Sequence, residues 1–398
     1  MKYLDEFRDG QLAQGLATRI CQEASPTRRY ALMEFCGGHT HAICRYGIED
    51  LLPDSVRLIH GPGCPVCVLP SGRLQAAIAL AEQEQVILCG YGDLLRVPGA
   101  RGDTLLKASA RGADVRMVYS VDDALHIARA NPDRPVVFFA IGFETTTPPT
   151  AVVLRQARSE RLRNFSVYCN HVLTPPALRA LLGTTSPPPQ PPLSPSVRST
   201  RRQASLPAKQ LDDGQIDGFI GPAHVSTIIG SQPYAFVAAD YDRPLVIAGF
   251  EPLDVLQAIL MLIRQLNAGE VRVENEYARA VNPEGNQKAQ RLMAEVFTLR
   301  PSFEWRGLGE LPDSALAIQP AFADWDAEQR FTIPDIQTTD HKACVCAEVL
   351  RGVTRPEECR VFATACTPDH PLGSCMVSAE GACAAYYHYG RFRQAAAS

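Results

Sequence analysis

Between residues 30 and 267 the chain alternates short apolar runs with stretches of helical periodicity, and this alternation constrains the fold more than any other feature. Runs at 56–60, 86–89, 115–119 and 136–141 read as buried strands, and 74–84, 104–111 and 121–130 read as the helices between them. Parallel neighbours need a crossover of a dozen residues or so, usually a helix, so this order predicts a parallel, doubly wound sheet. The alternation then recurs. Strand-like segments at 165–168, 218–220 and 245–248 are followed by helices near 176–182, 225–229 and 252–267, which predicts a second α/β unit.

Other segments frame these two units. Residues 1–29 form a helical lead-in, 30–146 the first α/β domain, 147–268 the second, and 269–398 a helical and cysteine-rich C-terminal domain. A further helix is predicted over 286–299, after which the chain turns loop-rich. Residues 184–210, rich in Pro and Ser and without apolar period, interrupt the second domain and are predicted to be disordered. The sharper reading of that insert is a proline-rich docking segment.

The chain has 13 cysteines, and six of them fall between Cys344 and Cys383. A lone thiol is a small buried hydrophobe. Six in so short a stretch require a chemical reason, either a metal centre or disulfides. The first residues carry charge from Lys2 onward and no apolar core, and no window reaches the ~18 apolar residues of a membrane span, so a cytoplasmic protein with no membrane partner is expected. In a reducing compartment a dense thiol cluster favours a metal or redox site over structural staples. The net charge of -4 argues against a nucleic-acid partner held by bulk charge.

The motifs refine this. Cys36-Gly37-Gly38-His39-Thr40-His41 follows an apolar segment. Its thiol and nearby imidazole suit a soft or borderline metal, or a nucleophile with its base; the plainer reading is a buried thiol beside a turn. Gly61-Pro62-Gly63-Cys64-Pro65-Val66-Cys67 follows the strand at 56–60, on the sheet edge where open α/β proteins bind ligands. With no second C-x-x-C nearby, Cys64 and Cys67 read as a redox dithiol, against structural zinc or inert thiols. Glycine-bearing turns at 142–147, 221–227 and 249–252 each follow a predicted strand, and together they suggest a cleft. None is a G-x-G-x-x-G fingerprint, so no nucleotide cofactor is proposed.

In the C-terminal cluster, four thiols for an iron–sulfur cube plus one redox pair would use all six, and a zinc ion held by four of the thiols is the alternative. Cys21, Cys44, Cys89 and Cys169 are isolated and expected to be buried.

The stretches F-C-G-G-H-T-H-A-I, H-G-P-G-C-P-V-C-V-L-P, G-F-E-T-T-T-P, H-V-S-T-I-I-G, V-L-R-G and C-T-P-D-H-P-L-G-S-C-M-V-S-A-E-G-A-C-A-A-Y-Y resemble the hydrogenase maturation factor HypD family. They span nearly the whole chain in order. The resemblance implies two Rossmann-like α/β domains and a third domain with a [4Fe-4S] cluster. It implies a redox scaffold, rather than a stand-alone enzyme, that builds the Fe(CN)2CO unit of [NiFe]-hydrogenases with HypC and accepts cyanide from HypE.

Carried over by residue, Cys36 matches the iron-binding cysteine, with His39 close by, and Cys64 and Cys67 match the redox C-x-x-C. The C-x-C at Cys344 and Cys346 is similar to ferredoxin–thioredoxin reductase. On that likeness Cys344, Cys359, Cys366 and Cys383 hold the cluster and Cys346 and Cys375 are an accessory pair. An iron–sulfur thiol–disulfide reductase is therefore the runner-up function, and a zinc-stabilised binding module the third. The chain departs from the family pattern at Pro222-Ala223-His224-Val225, where P-G-H-V is expected. A glycine of positive φ there would make Ala223 strained and put His224 in doubt.

Overall fold

The computed structural model describes residues 5–83, 85–185 and 216–390. The predicted insert at 184–210 lies outside these apart from its first two residues. Nine strands form two parallel sheets. In chain order they are β1 (Tyr30–Glu34), β2 (Val56–His60), β3 (Ile87–Gly90), β4 (Asp114–Met117), β5 (Val136–Gly142), β6 (Phe165–His171), β7 (Gly218–Pro222), β8 (Leu245–Ala248) and β9 (Val273–Asn275). The first sheet runs β2-β1-β7-β8-β9 and the second β4-β3-β5-β6.

Sheet membership does not follow chain order. The strands before β3 pair with strands after β6, since Leu32, Met33 and Glu34 of β1 lie opposite Gly218, Phe219 and Ile220 of β7. The chain leaves the first sheet after β2, builds the second from β3 to β6, and returns. The reason is burial on both faces. In β5, Val136, Phe138 and Ala140 face one apolar cluster while Val137, Phe139 and Ile141 face another. In β8, Val246 and Ala248 face a third cluster while Leu245 and Ile247 share the second of these with β5. One core therefore lies between the two sheets, and each sheet is covered again on its outer face. Strands buried on both sides read as continuous apolar runs, which is why they stood out in the sequence.

Helix Gly10–Glu23 is capped by Asp9, whose carboxylate accepts from the Gln11 and Leu12 amides, and packs on helix Pro252–Ala268. Cys21 on it is exposed, against expectation; one helical face turns outward and the thiol lies on it. Cys44, Cys89 and Cys169 are buried.

The helix predicted over 286–299 stops at Val296, where the chain becomes β10 (Phe297–Leu299). Three more short strands follow: β11 (Ser302–Trp305), β12 (Gly309–Pro312) and β13 (Leu316–Ile318). They pair antiparallel as β10-β13 and β11-β12. Strands of three or four residues alternate too briefly to be told from loop by sequence. Buried Trp305 donates from its indole to Ser314 Oγ at 3.0 Å and packs near Phe143, the residue that follows β5.

An ion triad ties this module to the second sheet. Glu328 accepts from Arg73 on helix Ser71–Gln83 at 2.6 Å and from Arg300 on the other side. Both arginines also donate to the Cys169 carbonyl, at 3.1 and 3.2 Å. Burial alone would raise the Glu328 pKa, but the two guanidiniums outweigh it and hold the carboxylate charged. Glu328→Gln leaves two half-buried cations short of a counter-charge. It is expected to destabilise the fold by about 2 kcal/mol, less than for a fully buried pair because each side chain keeps part of its surface in water. A urea midpoint equal to that of the parent chain would remove the triad from the stabilising contacts.

Candidate functional site

The site begins with a register. In the parallel pair β1–β2, Glu34 lies opposite His60, so both strands end at the same height. The two thiol-bearing loops leave the sheet side by side. The Gly61 amide donates to the Glu34 carbonyl at 2.9 Å, and the Gly37 amide to the Gly63 carbonyl at 3.2 Å. Gly63 lies so close that a Cβ there would sit 2.2 Å from the Cys36 Cα. No other residue fits, and the contact brings the C-G-G-H motif and the C-x-x-C motif together.

Cys36 is the N-cap of helix Gly37–Tyr46, with extended φ and ψ. Its amide donates to Glu34 Oε2 at 2.8 Å. The other Glu34 oxygen is hydrogen-bonded to the Thr40 hydroxyl and lies 2.7 Å from His60 Nδ1. His60 Nε2 is 3.0 Å from the Tyr386 hydroxyl, which donates to Glu49 at 3.2 Å. A buried polar chain thus runs from the Cys36 backbone to the C-terminal segment. Burial, with Glu380 and Glu34 nearby, pushes the Cys36 thiol well above its ordinary pKa.

His224 lies against this thiol, and His39 follows three residues on in helix Gly37–Tyr46. His224 Nδ1 lies 3.5 Å from Cys36 Sγ. Burial and the neighbouring His39 push the His224 imidazole down to about 4, so it is neutral at physiological pH. Ala223 is the buried first residue of helix Ala223–Ile229 and has no positive φ, so the P-A-H-V departure carries no backbone strain. His39 Nε2 faces the carbonyls of Ala248 and Gly249 at 3.1 and 2.9 Å, so this nitrogen carries the hydrogen. Its buried Nδ1 has no hydrogen-bond partner. Phe250 packs against both rings, at 4.8 Å from His39 and 5.4 Å from His224. The strand-end turns at 221–227 and 249–252 thus meet Cys36. The turn at 142–147 serves the second sheet, where Glu144 accepts from the Thr174 amide and hydroxyl at 2.8 and 2.9 Å.

Cys64 caps the helical turn Pro65–Val68, and Cys64 and Cys67 are joined as a disulfide with Cα atoms 5.2 Å apart. The far wall of this turn is the C-terminal cysteine segment. Ser374 donates its hydroxyl to the Cys67 carbonyl at 3.0 Å, and the Arg306 amide donates to the Val68 carbonyl at 2.9 Å.

Cys344, Cys346, Cys359, Cys366, Cys375 and Cys383 all line one small pocket whose other walls include Val349, Val361 and Phe362. Neighbouring thiols interact in series, Cys344 with Cys346, Cys346 with Cys375, and Cys375 with Cys383. This interaction, with Arg306 close by, holds the Cys346 thiol below its ordinary pKa and raises Cys344 and Cys375. The Leu372 amide points at Cys366 Sγ from 3.3 Å. Gly373 leaves room for Cys344 Sγ, which a Cβ would meet at 2.4 Å. Among the described residues, no three His, Cys, Asp or Glu side chains are already set around one metal position. The donor chemistry still fits a thiolate-held cluster. Six sulfurs share one apolar pocket, and backbone amides face sulfur as cluster sites require.

Sequence reasoning missed Glu34, His60, Tyr386, Ser374 and Phe250. Glu34 and His60 left a signal, since each is a polar residue closing an apolar strand just before a glycine motif.

Comparison with known proteins agrees with the motifs. Residues 11–390 match the HypD family model, described as "Hydrogenase formation hypA family". The chain is 58% identical over 393 residues to hydrogenase maturation factor HypD2 of Bradyrhizobium diazoefficiens, covering 99% of this chain and 98% of that one. It is 60% identical over 395 residues to HypD of Azotobacter vinelandii, covering 99% and 98%. It is 44% identical over 394 residues to HypD of Escherichia coli, covering 98% of each. With the motifs in order and the match running from end to end, the chain belongs to the HypD family of hydrogenase maturation factors.

Proposed function

We propose that this maturation factor is a redox-active scaffold on which, together with HypC, the Fe(CN)2CO unit of [NiFe]-hydrogenases is assembled, with cyanide accepted from HypE. The observation that carries the reading is the Gly63–Cys36 backbone contact. It sets a metal-binding type of thiol against a dithiol, and assembling a cyanide-bearing iron needs both a ligand and electrons.

In this reading the iron is the substrate. Cys36 takes it up as a thiolate, and the proton displaced from the thiol leaves to solvent, with the neutral His224 imidazole 3.5 Å from the sulfur. His39 keeps its hydrogen on Nε2 against two carbonyls, and its buried Nδ1 has no hydrogen-bond partner. Cyanide held on a carrier thiol leaves as cyanide ion only when its sulfur–carbon bond gains two electrons. The Cys64/Cys67 dithiol supplies them by closing to a disulfide and releases two protons, one of which goes to the carrier's sulfur. The two residues lie within disulfide reach, with Cα atoms 5.2 Å apart, as that step requires.

A [4Fe-4S] cluster held by Cys344, Cys359, Cys366 and Cys383 would supply one-electron reduction, with Cys346 and Cys375 as the accessory pair. These roles of the six thiols rest on the shared pocket and on the likeness to ferredoxin–thioredoxin reductase. No helix among the described residues is long and apolar enough to cross a membrane, which accords with a cytoplasmic site of action.

Two experiments test this. Chain purified without oxygen should carry about four irons and four sulfides, the content of one cubane. Stoichiometric zinc without broad visible absorption would instead favour a zinc-stabilised binding module. The second experiment is infrared spectroscopy of the chain co-purified with HypC, which reports bound CN and CO. Cys36→Ala should abolish both bands even with strong reductant present, because an iron ligand is missing. Cys64→Ala should still load iron yet lose the CN bands, because one thiol cannot close an intramolecular disulfide. Normal bands in Cys36→Ala would end the scaffold reading and leave the thiol–disulfide reductase.

A further inference from the structure

The second sheet repeats the plan that builds the thiol site. In the first sheet β1 is flanked by β2 on one side and by β7 on the other, and Cys36 and His224 follow the ends of β1 and β7. In the second, the chain runs from β3 to β4 on one side and then to β5 on the other. The crevice outside the carboxyl ends of β3 and β5 is therefore a topological switch point, where open α/β sheets take their ligands. A cavity of about 380 Å³ opens there. It is lined by Tyr91 after β3, by Tyr119 and Asp122 after β4, and by Thr145, Pro149 and Val152 after β5. Among the described residues no cysteine lines it, so it is separate from the thiol site. Its volume, and its apolar walls with a few polar groups, are those of a small-molecule site.

The lining decides the class of ligand. Phosphate groups bind such crevices through the free amides of helix N-termini, and both N-termini here are closed to them. At helix Val121–Ala130, Ser120 Oγ accepts from the Asp123 amide at 3.2 Å. The Asp123 carboxylate accepts from the Tyr119 and Ser120 amides at 3.0 and 2.9 Å. Helix Thr147–Glu160 has Pro148 and Pro149 in its first turn, and neither carries an amide hydrogen. Among the described residues that line the cavity, Asp122 alone is charged, and its side chain is half-exposed. His126 Nδ1 lies 3.4 Å from that carboxylate, but the imidazole does not line the cavity. Arg129 is paired with Glu160 at 2.8 Å. Tyr119 is 86% exposed and Val152 half-exposed, so an aromatic ring and an apolar edge stand open to solvent. A carboxylate beside an open aromatic ring favours a cation.

We propose that this crevice is a second binding site, for a small organic cation with an aromatic or apolar body. Asp122 supplies the counter-charge, Tyr119 an aromatic surface, and Pro149 and Val152 the wall for the body. The site uses neither iron nor thiols, so it stands or falls apart from the maturation reading.

The test titrates the full chain by calorimetry with benzamidine, an aromatic amidinium, and with benzamide, its neutral counterpart. Benzamidine should bind saturably at a single site and more tightly than benzamide. Asp122→Asn should weaken benzamidine about threefold, as loss of a half-exposed ion pair does, and leave benzamide unchanged. Tyr119→Ala should weaken benzamidine by about the same factor. Val152→Trp, which fills the mouth of the cavity, should abolish binding of both. If Val152→Trp lowers the urea midpoint, Tyr119→Ala decides in its place. Absence of saturable benzamidine binding overturns the site, and so does binding undiminished by the cavity substitutions. Benzamidine binding no tighter than benzamide, or unchanged in Asp122→Asn, overturns the cationic class. Binding of inorganic phosphate that is lost in Val152→Trp overturns it as well.

Discussion

The site depends on one backbone contact, the Gly63 Cα lying against Cys36. It follows from the β1–β2 register, which sets Glu34 opposite His60 and releases both loops from the sheet at one level. Two amide–carbonyl bonds, Gly61 to Glu34 and Gly37 to Gly63, then lock the loops together. A register slip of one residue would turn every side chain of β2 to the other face. His60 would lose Glu34, and the C-x-x-C turn would no longer meet the N-cap of helix Gly37–Tyr46. Because the burial of β1 and β2 on both faces resists such a slip, the energetics of the core fix the geometry of the thiols.

The same logic explains why the C-terminal cysteine segment returns to the start of the chain. Closing so long a loop costs configurational entropy, though the cost grows slowly with length. It is offset by contacts that are all buried: Ser374 on Cys67, Tyr386 on His60, and Trp305 against Phe143. Glu380 packs over Gly37, where a Cβ would fall 2.5 Å from the Glu380 Cβ. The C-terminal segment therefore forms one wall of the Cys36 site as well as the pocket for its own six sulfurs. The thiol site is complete only with that segment in place.

Much of this was legible in the sequence, and what was not has a physical cause. Strands buried on both faces, such as β5 and β8, gave continuous apolar runs with bounds within a residue of those observed. Glycine motifs at strand ends marked the functional edge. Sheet membership was not legible, because the pairing of β1 with β7 sets Leu32 against Gly218, far along the chain, and leaves no local trace. The strands between 297 and 318 were too short for periodicity to register. His224 was placed in doubt by a residue type alone, whereas the backbone at Ala223 is helical and accepts alanine. Ser374 was invisible for a different reason. A buried serine is ordinary until its partners are known, and here they are Cys67 and Cys346, 307 and 28 positions away in the chain.

Burial gives the thiol site its chemical character. Cys36 is 3% exposed, and the low-dielectric surroundings, with Glu380 and Glu34 close by, keep its proton in place. A protonated thiol is a poor nucleophile and a poor target for oxidation. Only a cation that competes for the sulfur can displace that proton, because metal binding and deprotonation are linked. His224, held neutral by the same burial, lies 3.5 Å from the sulfur. The dithiol beside it is under a different constraint, since its state is set by the turn that brings Cys64 and Cys67 together. On the proposed reading one burial would serve two ends, keeping Cys36 inert until a metal displaces its proton and keeping water from the dithiol beside it.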